Sequence, residues 1–478
     1  MSAVAPLLPV LREFLRREVR PLEIDAGHSI PPEVLRGLAE LGLFGVTLPA
    51  AYGGAGCSAA DAAQVVATLA ERDRSVATTV GLHLGLGTRG LVAFGSRAQH
   101  ERWLPKLALG DVIAAFATTE PQAGSDLSAL SSLAQPSGDG LLLSGTKLFV
   151  TNGSLCSLLT VTASTPGLGG AARGTSLLLI EPGAPGVHRQ PEERKLGLRG
   201  TSTTAFVFEG CALPVDALLG EAGRGAKYLQ HVLSWGRLLL SAGCVGTARV
   251  ALREALAWTH FRRQFRRALI AQEVVQQQLA RAAAIAWAME ALVAQTAAAE
   301  GDDERLARSS ISAKIFCSEG AGQVADLALQ LFGGSGYIED TGLALLVRDA
   351  RVTRIFEGAN DVLQTHAGLQ ELLSPRADAP PDELSPICEA VRAQRDALGD
   401  DGLKPGVRAL RRSVDHHRLG RAVVWRDAAW AATTRARSQV ELAAASLMRD
   451  LALEVARASS VLVVPPTLTA ALLSGVLS

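Results

Sequence analysis

A change of texture at about residue 111, reversed at about residue 224, constrains this chain more than any other feature of its 478 residues. Before it, apolar residues recur at helical spacing: Leu11, Phe14, Leu15 and Val19, then Val34, Leu38 and Leu41 leading to Gly42. Turns punctuate that stretch at Pro31-Pro32 and Gly53-Gly54. From 111 to 223, short apolar runs such as Leu141 to Leu143, Leu158 to Val161, Ser176 to Ile180 and Thr204 to Phe208 alternate with Gly, Ser, Thr and Pro. Such alternation predicts strands. From 224 to 372, long Ala/Leu-rich segments return, interrupted at Phe332-Gly333-Gly334-Ser335-Gly336-Tyr337, and predict a bundle whose helices cover each other's apolar stripes. The order predicts a helical domain over 1–110, a β domain over 111–223, a helical bundle over 224–372, and a linker with a helical extension over 373–478. The linker signal is Ser374-Pro375-Arg376-Ala377-Asp378-Ala379-Pro380-Pro381.

Charge narrows the function. The 47 basic residues balance 47 acidic ones, which removes the usual electrostatic case for nucleic acid as the main partner. Local basic runs remain at Arg262 to Arg267 and Arg408 to Arg412, each equally readable as a solvated helix face. Six cysteines show no C-x-x-C pair and no metal-ligand spacing with histidine, so reduced thiols and no structural zinc are expected. The N-terminus lacks a basic segment ahead of its short apolar patch, so no signal peptide and a cytoplasmic location are expected. The stretch from Ala458 to Ser478 carries no charge but is broken by Pro465-Pro466; it reads as a buried or interfacial tail, which leaves peripheral membrane contact open.

Three segments carry candidate chemistry. Glu357 stands in Arg354-Ile355-Phe356-Glu357-Gly358-Ala359-Asn360-Asp361, and apolar neighbours would raise its pKa toward that of a base working near neutral pH. Taken alone, the tripeptide also reads as a helix-end Glu before a Gly cap. Thr118-Thr119-Glu120-Pro121-Gln122-Ala123-Gly124-Ser125-Asp126 places hydroxyls and a glycine on a loop entered from a strand, suited to a pyrophosphate or a carbonyl edge, or simply to a turn. Gly145-Thr146-Lys147-Leu148-Phe149-Val150-Thr151-Asn152-Gly153 repeats the theme with an aromatic at a strand position, where Phe149 is either core or a stacking platform.

With Leu38 to Gly45, Pro49 to Gly56, Leu104-Pro105-Lys106-Leu107, Lys195 to Thr201, Gln330 to Tyr337 and Arg348-Asp349-Ala350-Arg351 in the same order, the chain resembles the acyl-CoA dehydrogenase family along most of residues 10 to 370. The Phe-Glu-Gly-x-Asn-Asp form and the extension look most like the branch containing very-long-chain acyl-CoA dehydrogenases. The resemblance implies a mainly α fold with a central β domain: a helical N-terminal domain, a β-barrel-like middle domain, a C-terminal four-helix bundle and the extra extension. It implies bound FAD and α,β-dehydrogenation of an acyl-CoA thioester to the trans-2-enoyl-CoA, in fatty acid β-oxidation. Glu357 would be the general base, with its backbone N–H and a flavin ribityl hydroxyl on the thioester oxygen, and the β-hydrogen would leave as hydride to flavin N5.

By the same resemblance Phe116, Thr118, Thr119, Ser125, Phe149 (for the usual Trp) and Thr151 would contact the flavin. Arg262, Phe265, Gln330 and Gly334 would reach the FAD of a neighbouring subunit, implying a homodimer or higher oligomer. Ser125, Arg237, Phe356 and Gly358 would line the substrate cleft, Arg237 being equally readable as a salt-bridged bundle arginine. Electron-transfer flavoprotein is the implied electron acceptor. Val76 and Val80 stand where medium-chain relatives carry bulky polar residues, which points to room for a longer acyl tail or to plain core packing. The turn Ser234-Trp235-Gly236-Arg237, where some branches place the base, holds no carboxylate. Departures from the family pattern are Arg266 for Gly, Glu273 for Gln, Ala359 for a hydroxyl residue and Ala344-Leu345 for Glu-Arg; three of the four fall around the inter-subunit FAD contact, where they imply either weaker cofactor binding or an offset of Glu273 by Arg266, and they leave, as the alternative to the enzyme, a non-catalytic paralogue serving as scaffold or partner subunit.

Overall fold

The computed structural model describes residues 2–168, 174–375, 381–398 and 413–458. Contacts divide the chain into two compact units, Met1–Asn360 and Asp361–Ser478.

The first unit opens with seven helices: α1 (Leu7–Glu18), α2 (Pro21–Gly27), α3 (Pro32–Glu40), α4 (Ala59–Ala70), α5 (Arg74–Leu82), α6 (Arg89–Phe94) and α7 (Arg97–Leu109). Their starts follow side-chain chemistry. Ser58 with Asp61, and Ser96 with Gln99, form reciprocal capping boxes, and Asp73 accepts from the Val76 N–H to begin α5. A π-helical turn, His83–Gly87, then carries the chain away from α5.

Eight strands follow: β1 (Ile113–Ala117), β2 (Leu133–Ser137), β3 (Gly140–Thr151), β4 (Cys156–Ser164), β5 (Thr175–Ile180), β6 (Val187–Arg189), β7 (Thr203–Pro214) and β8 (Leu218–Leu219). They form one sheet in the order β6-β7-β3-β2-β4-β5-β8, with β1 parallel to β4. Residues from both ends of that order share a single buried core, Phe206 and Phe208 of β7 meeting Leu178 and Ile180 of β5, so the sheet curls around its own interior as the barrel-like expectation requires. The antiparallel β3–β7 pairing slips between Lys147 and Val150, and in that slip Phe149 adopts φ +55° with its ring exposed.

The unit closes with α8 (Gly225–Phe261), α9 (Glu273–Ala297), α10 (Asp303–Phe332), the short α11 (Gly334–Tyr337) and α12 (Leu343–Val352). Helices α8, α9 and α10 pack pairwise, α12 lies on α10, and α4 and α5 lie against α8. The helices bury alanine and leucine along their lengths, which brings their axes close at little side-chain entropy cost. Ser234 to Arg237, expected as a turn, lies inside α8, where Trp235 and Gly236 are buried and the Ser234 hydroxyl donates to the Gln230 carbonyl one turn back. The string Lys195 to Thr201 has a docking role: the Leu198 N–H donates to Asp349 (2.6 Å), and Arg348 holds Asp25 by two hydrogen bonds while donating to the Leu196 carbonyl. It thereby ties the sheet to α12 and α2.

The second unit takes in α13 (Asn360–Leu373) from its second residue, α14 (Ser385–Leu398) and the helices Ser413–Arg435 and Gln439–Ala458. Leu384, Ile387, Ala429, Trp430 and Ala452 make one core cluster. The buried Arg426 guanidinium pairs with Glu371 at 2.9 and 3.1 Å and with Asp427, joining α13 to the helix Ser413–Arg435. The basic run Arg408 to Arg412 and the tail beyond Ala458 lie outside the described residues. No described helix is long and apolar enough to cross a membrane.

Between α8 and α9, Arg263–Gln264 and Arg267–Ala268 pair as a hairpin whose two turn residues, Phe265 and Arg266, both have positive φ (50° and 65°). Left-handed backbone disfavours side chains and suits glycine, so Arg266 is strained where the family pattern has Gly. Replacing it, Arg266→Gly, should stabilise the protein by about 0.5–1 kcal/mol, read as a raised unfolding midpoint in denaturant at unchanged slope.

Candidate active site

A cavity enclosing about 880 Å³ of empty space, open solvent included, lies within the first unit. Strand residues Phe116, Thr118, Thr119, Leu148, Phe149 and Thr151 form part of its wall; α4, α5 and α8 supply another part, including Val66, Ala77, Gly81, Leu239 and Leu240; Phe356 and Glu357 complete it. Seven of the residues singled out from the sequence therefore share one lining, although they come from three separate stretches of chain.

Glu357 occupies a tight turn after α12 with φ +56°, and Gly358 follows at φ +101°. The turn is held from behind. Arg237 Nε of α8 donates to the Glu357 carbonyl (3.1 Å), and the buried Lys314 Nζ of α10 donates to the Gly358 carbonyl (2.6 Å) and to Asn360 Oδ1 (2.7 Å). The Asn360 amide is fixed in turn by Ser318 and Glu319. These bonds engage backbone oxygens and leave the carboxylate itself unpaired: Glu357 Oε2 is buried with no hydrogen-bond partner. It rests against the α8 backbone at Gly236, where an added Cβ would stand 2.6 Å from Oε2. Burial pushes the Glu357 pKa up to about 7, against the pull of Arg237, Lys314 and Arg74. Burial likewise lowers Lys314 to about 8, with Glu357 opposing. No acceptor among the described residues takes the Glu357 N–H.

The loop that carries Thr118 and Thr119 is anchored by a buried ion pair. Glu120, whose side chain is 1% exposed, accepts from Lys147 Nζ (2.6 Å), from both the N–H and hydroxyl of Ser131, and from the Ser132 N–H. Lys147 also donates to the Thr118 carbonyl and to Thr162, whose hydroxyl meets that of Thr118 at 2.9 Å. Burial works against the Glu120 charge, yet Lys147 and the serine donors hold its pKa well below the usual carboxylate range.

Other predicted residues lie elsewhere. Ser125 is exposed on the loop and does not line the cavity. Arg237 and Gly358 stand behind the turn rather than in the lining. Arg262, Phe265, Gln330 and Gly334 are exposed where α8 and α10 end, and these ends are linked by Trp258, which stacks on Phe332 (centroids 4.4 Å apart) and donates to the Leu331 carbonyl. Phe261, Phe265 and Tyr337 there are 77%, 88% and 80% exposed, an unusual display for large apolar rings.

Of the two readings of Val76 and Val80, core packing is the one that holds. Val76 and Val80 are fully buried and do not line the cavity; Ala77, Thr78 and Gly81 do. Positions 77 and 81 are one turn apart on the α5 face toward the cavity, and 76 and 80 fall on the core side. Arg74 and Lys314 belong to no motif, and Glu120 and Lys147 stand inside the two hydroxyl-bearing segments with no signal there of their pairing. Lys314 had a signal available, a lone cation inside the apolar run Ser310 to Phe316.

The family models for the acyl-CoA dehydrogenase N-terminal, middle and C-terminal domains match residues 7–111, 115–211 and 223–370. The chain belongs to the acyl-CoA dehydrogenase family. It is 35% identical over 371 residues to the human mitochondrial very long-chain specific acyl-CoA dehydrogenase; the match covers 76% of this chain and 56% of that protein. Among solved structures, butyryl-CoA dehydrogenase from Megasphaera elsdenii superposes with a TM-score of 0.72 at 29% identity, covering 76% of this chain and 96% of the other. An acyl-CoA dehydrogenase from Bacillus anthracis complexed with FAD gives 0.85 at 24% identity over 98% of this chain and 90% of that one, a likeness of fold that includes the last helices.

The site's anchor is open to test. Lys147→Met leaves the Glu120 carboxylate buried beside no cation and should cost about 3–5 kcal/mol, measured as the loss in unfolding free energy by denaturant titration.

Proposed function

We propose that this protein is an FAD-dependent acyl-CoA dehydrogenase that forms the trans-2-enoyl-CoA from an acyl-CoA thioester, with Glu357 as general base. The observation that carries this reading is the Glu357 carboxylate: buried, unpaired, raised to a pKa of about 7 and aimed into the cavity that the flavin-loop residues line. Such a group is matched to removing a weakly acidic proton from carbon near neutral pH.

The residues present fit FAD. Phe149 turns a flat apolar face outward from a backbone conformation that side chains disfavour, which is strain without a structural return unless the ring meets a partner. Thr118, Thr119 and Thr151 place hydroxyls beside it on the same cavity wall. When bound, FAD supplies the acceptor for the hydride that leaves the β-carbon. Glu357 takes the α-proton, and its free N–H is available to the thioester oxygen as negative charge builds there.

The exposed rings around Phe265, with Arg262, Gln330 and Gly334, support pairing with a second copy whose cofactor they would complete. Electron-transfer flavoprotein is the proposed acceptor of the electrons, in keeping with the family resemblance; a cytoplasmic location and an acyl-CoA drawn from fatty acid β-oxidation belong to the same reading. Yellow purified protein that bleaches on adding an acyl-CoA is the expected result. Colourless protein that cannot be reconstituted with FAD would instead favour the non-catalytic paralogue.

Glu357→Gln should retain flavin absorbance and acyl-CoA binding while lowering kcat by roughly 10²–10⁴-fold; near-normal turnover would remove Glu357 from the mechanism. Because the base works deprotonated, kcat/KM should rise with pH through a midpoint near the Glu357 value of about 7. Lys314 holds that pKa down, so Lys314→Met should move the midpoint upward, and Lys314→Arg should restore it in part. A midpoint unmoved in Lys314→Met would show that the lysine acts on the turn alone.

A further inference from the structure

The helical part of the cavity wall contains a cation that acts on Glu357 through space but bonds no carboxylate of this chain among the described residues. Arg74, the first residue of α5, is only 5% exposed and lines the cavity, and it makes no ion pair among the described residues. Its Nη2 donates to the Leu240 carbonyl (3.1 Å) and approaches Cys244 Sγ (3.6 Å); its Nε is buried with no partner. Leu240 lies in the middle of α8, where its carbonyl is already engaged by the helix, so this bond satisfies no orphaned group. A guanidinium cannot shed its proton, and burying it unpaired is among the costliest arrangements a core can hold.

The fold nevertheless makes room for it. The guanidinium lies against α8 at Gly243, where a Cβ would overlap Nη1. Gly236, against which the Glu357 carboxylate rests, Leu240 and Gly243 follow one another at helical spacing on one face of α8. The proton-abstracting oxygen and the guanidinium are therefore about one to two helical turns apart along that face, roughly 6–10 Å at the α-helical rise. The wall between them is apolar: Leu239, Ala77 and Gly81.

An acyl chain whose α-carbon meets Glu357 and which runs along α8 reaches Arg74 after a few methylene groups. A methyl terminus there would leave the charge unpaired and desolvated further. A carboxylate would pair with it in a planar, two-toothed contact of high strength in a dry site. We propose that the acyl group this protein accepts is short and carries a carboxylate at its far end, which Arg74 binds. The proposal rests on the acyl-CoA reading of the cavity and adds the substrate's second functional group. It also separates this chain from the long-tail expectation that Val76 and Val80 suggested, since the cation sits where a long apolar tail would pass.

The test uses the flavin-loaded protein and a matched panel of acyl-CoAs of four to eight carbons ending in methyl, hydroxyl or carboxylate. Flavin bleaching gives kcat/KM, and titration of Glu357→Gln, which binds without turning over, gives Kd. The expected result is a preference for the carboxylate-ended member of at least tenfold over its methyl-ended counterpart in both measurements. Arg74→Leu should abolish or reverse that preference. Gly243→Ala keeps the charge but displaces the guanidinium, and it should lessen the preference in protein of near-normal unfolding midpoint. If methyl-ended substrates bleach best in the native protein, or if Arg74→Leu slows every substrate equally and only raises the pH midpoint, Arg74 merely biases Glu357 and the proposal falls while the dehydrogenase reading stands. Bleaching by no member of the panel, with longer methyl-ended acyl-CoAs also inert, removes both.

Discussion

A carboxylate can be kept buried and unpaired only if its backbone cannot relax, and the rest of the site depends on how that is done. Glu357 sits at a positive φ that would drift toward an ordinary turn were its neighbours free. Arg237 and Lys314 prevent this by holding successive carbonyls, those of Glu357 and Gly358, from two different helices. Cations would ordinarily seek the carboxylate itself. With Arg237 Nε and Lys314 Nζ bonded to backbone oxygens and to Asn360, the two cations act on the Glu357 carboxylate through space, offsetting part of its desolvation without pairing with it.

The opposite wall uses the same device in reverse. Lys147 and Glu120 do form a direct buried pair, and its product is rigidity: the Thr118–Thr119 segment and the slipped register that exposes Phe149 are both next to it. A pair of this kind contributes little net stability compared with apolar packing but specifies one arrangement, which a loop that must present hydroxyls requires. Arg74 is a third case, a buried cation that feels Glu357 through space but is bonded to neither a carboxylate nor a backbone oxygen that lacks a donor. The contrast among Lys314, Lys147 and Arg74 identifies the last as the one whose partner is external.

Much of this was legible in the linear chain. The helical, β and helical order follows from apolar spacing, which packing has no freedom to contradict over segments this long. The convergence of Glu357 with Phe116, Thr118, Thr119, Phe149 and Thr151 was legible through family motifs, although no spacing within the chain links residue 116 to residue 357. Of the two readings open for Val76 and Val80, core packing was decided by the rotation of α5 against α8, which no spacing within the chain records. Lys314 was not legible because a single cation in an apolar stretch has the same sequence appearance whether it snorkels to water or is buried, and Arg74 was not because it ends the charged run Glu71-Arg72-Asp73-Arg74, which reads as a solvated helix start.

The sequence by itself determined the elements, the family and the candidate for the base, since these rest on local periodicity and on strings of residues that travel together. Tertiary structure alone decided which groups meet that base and which charges stay unanswered. The reason is that burial and pairing arise between elements: Gly236 and Gly243 are ordinary helix glycines until the Glu357 carboxylate and the Arg74 guanidinium come to rest against them.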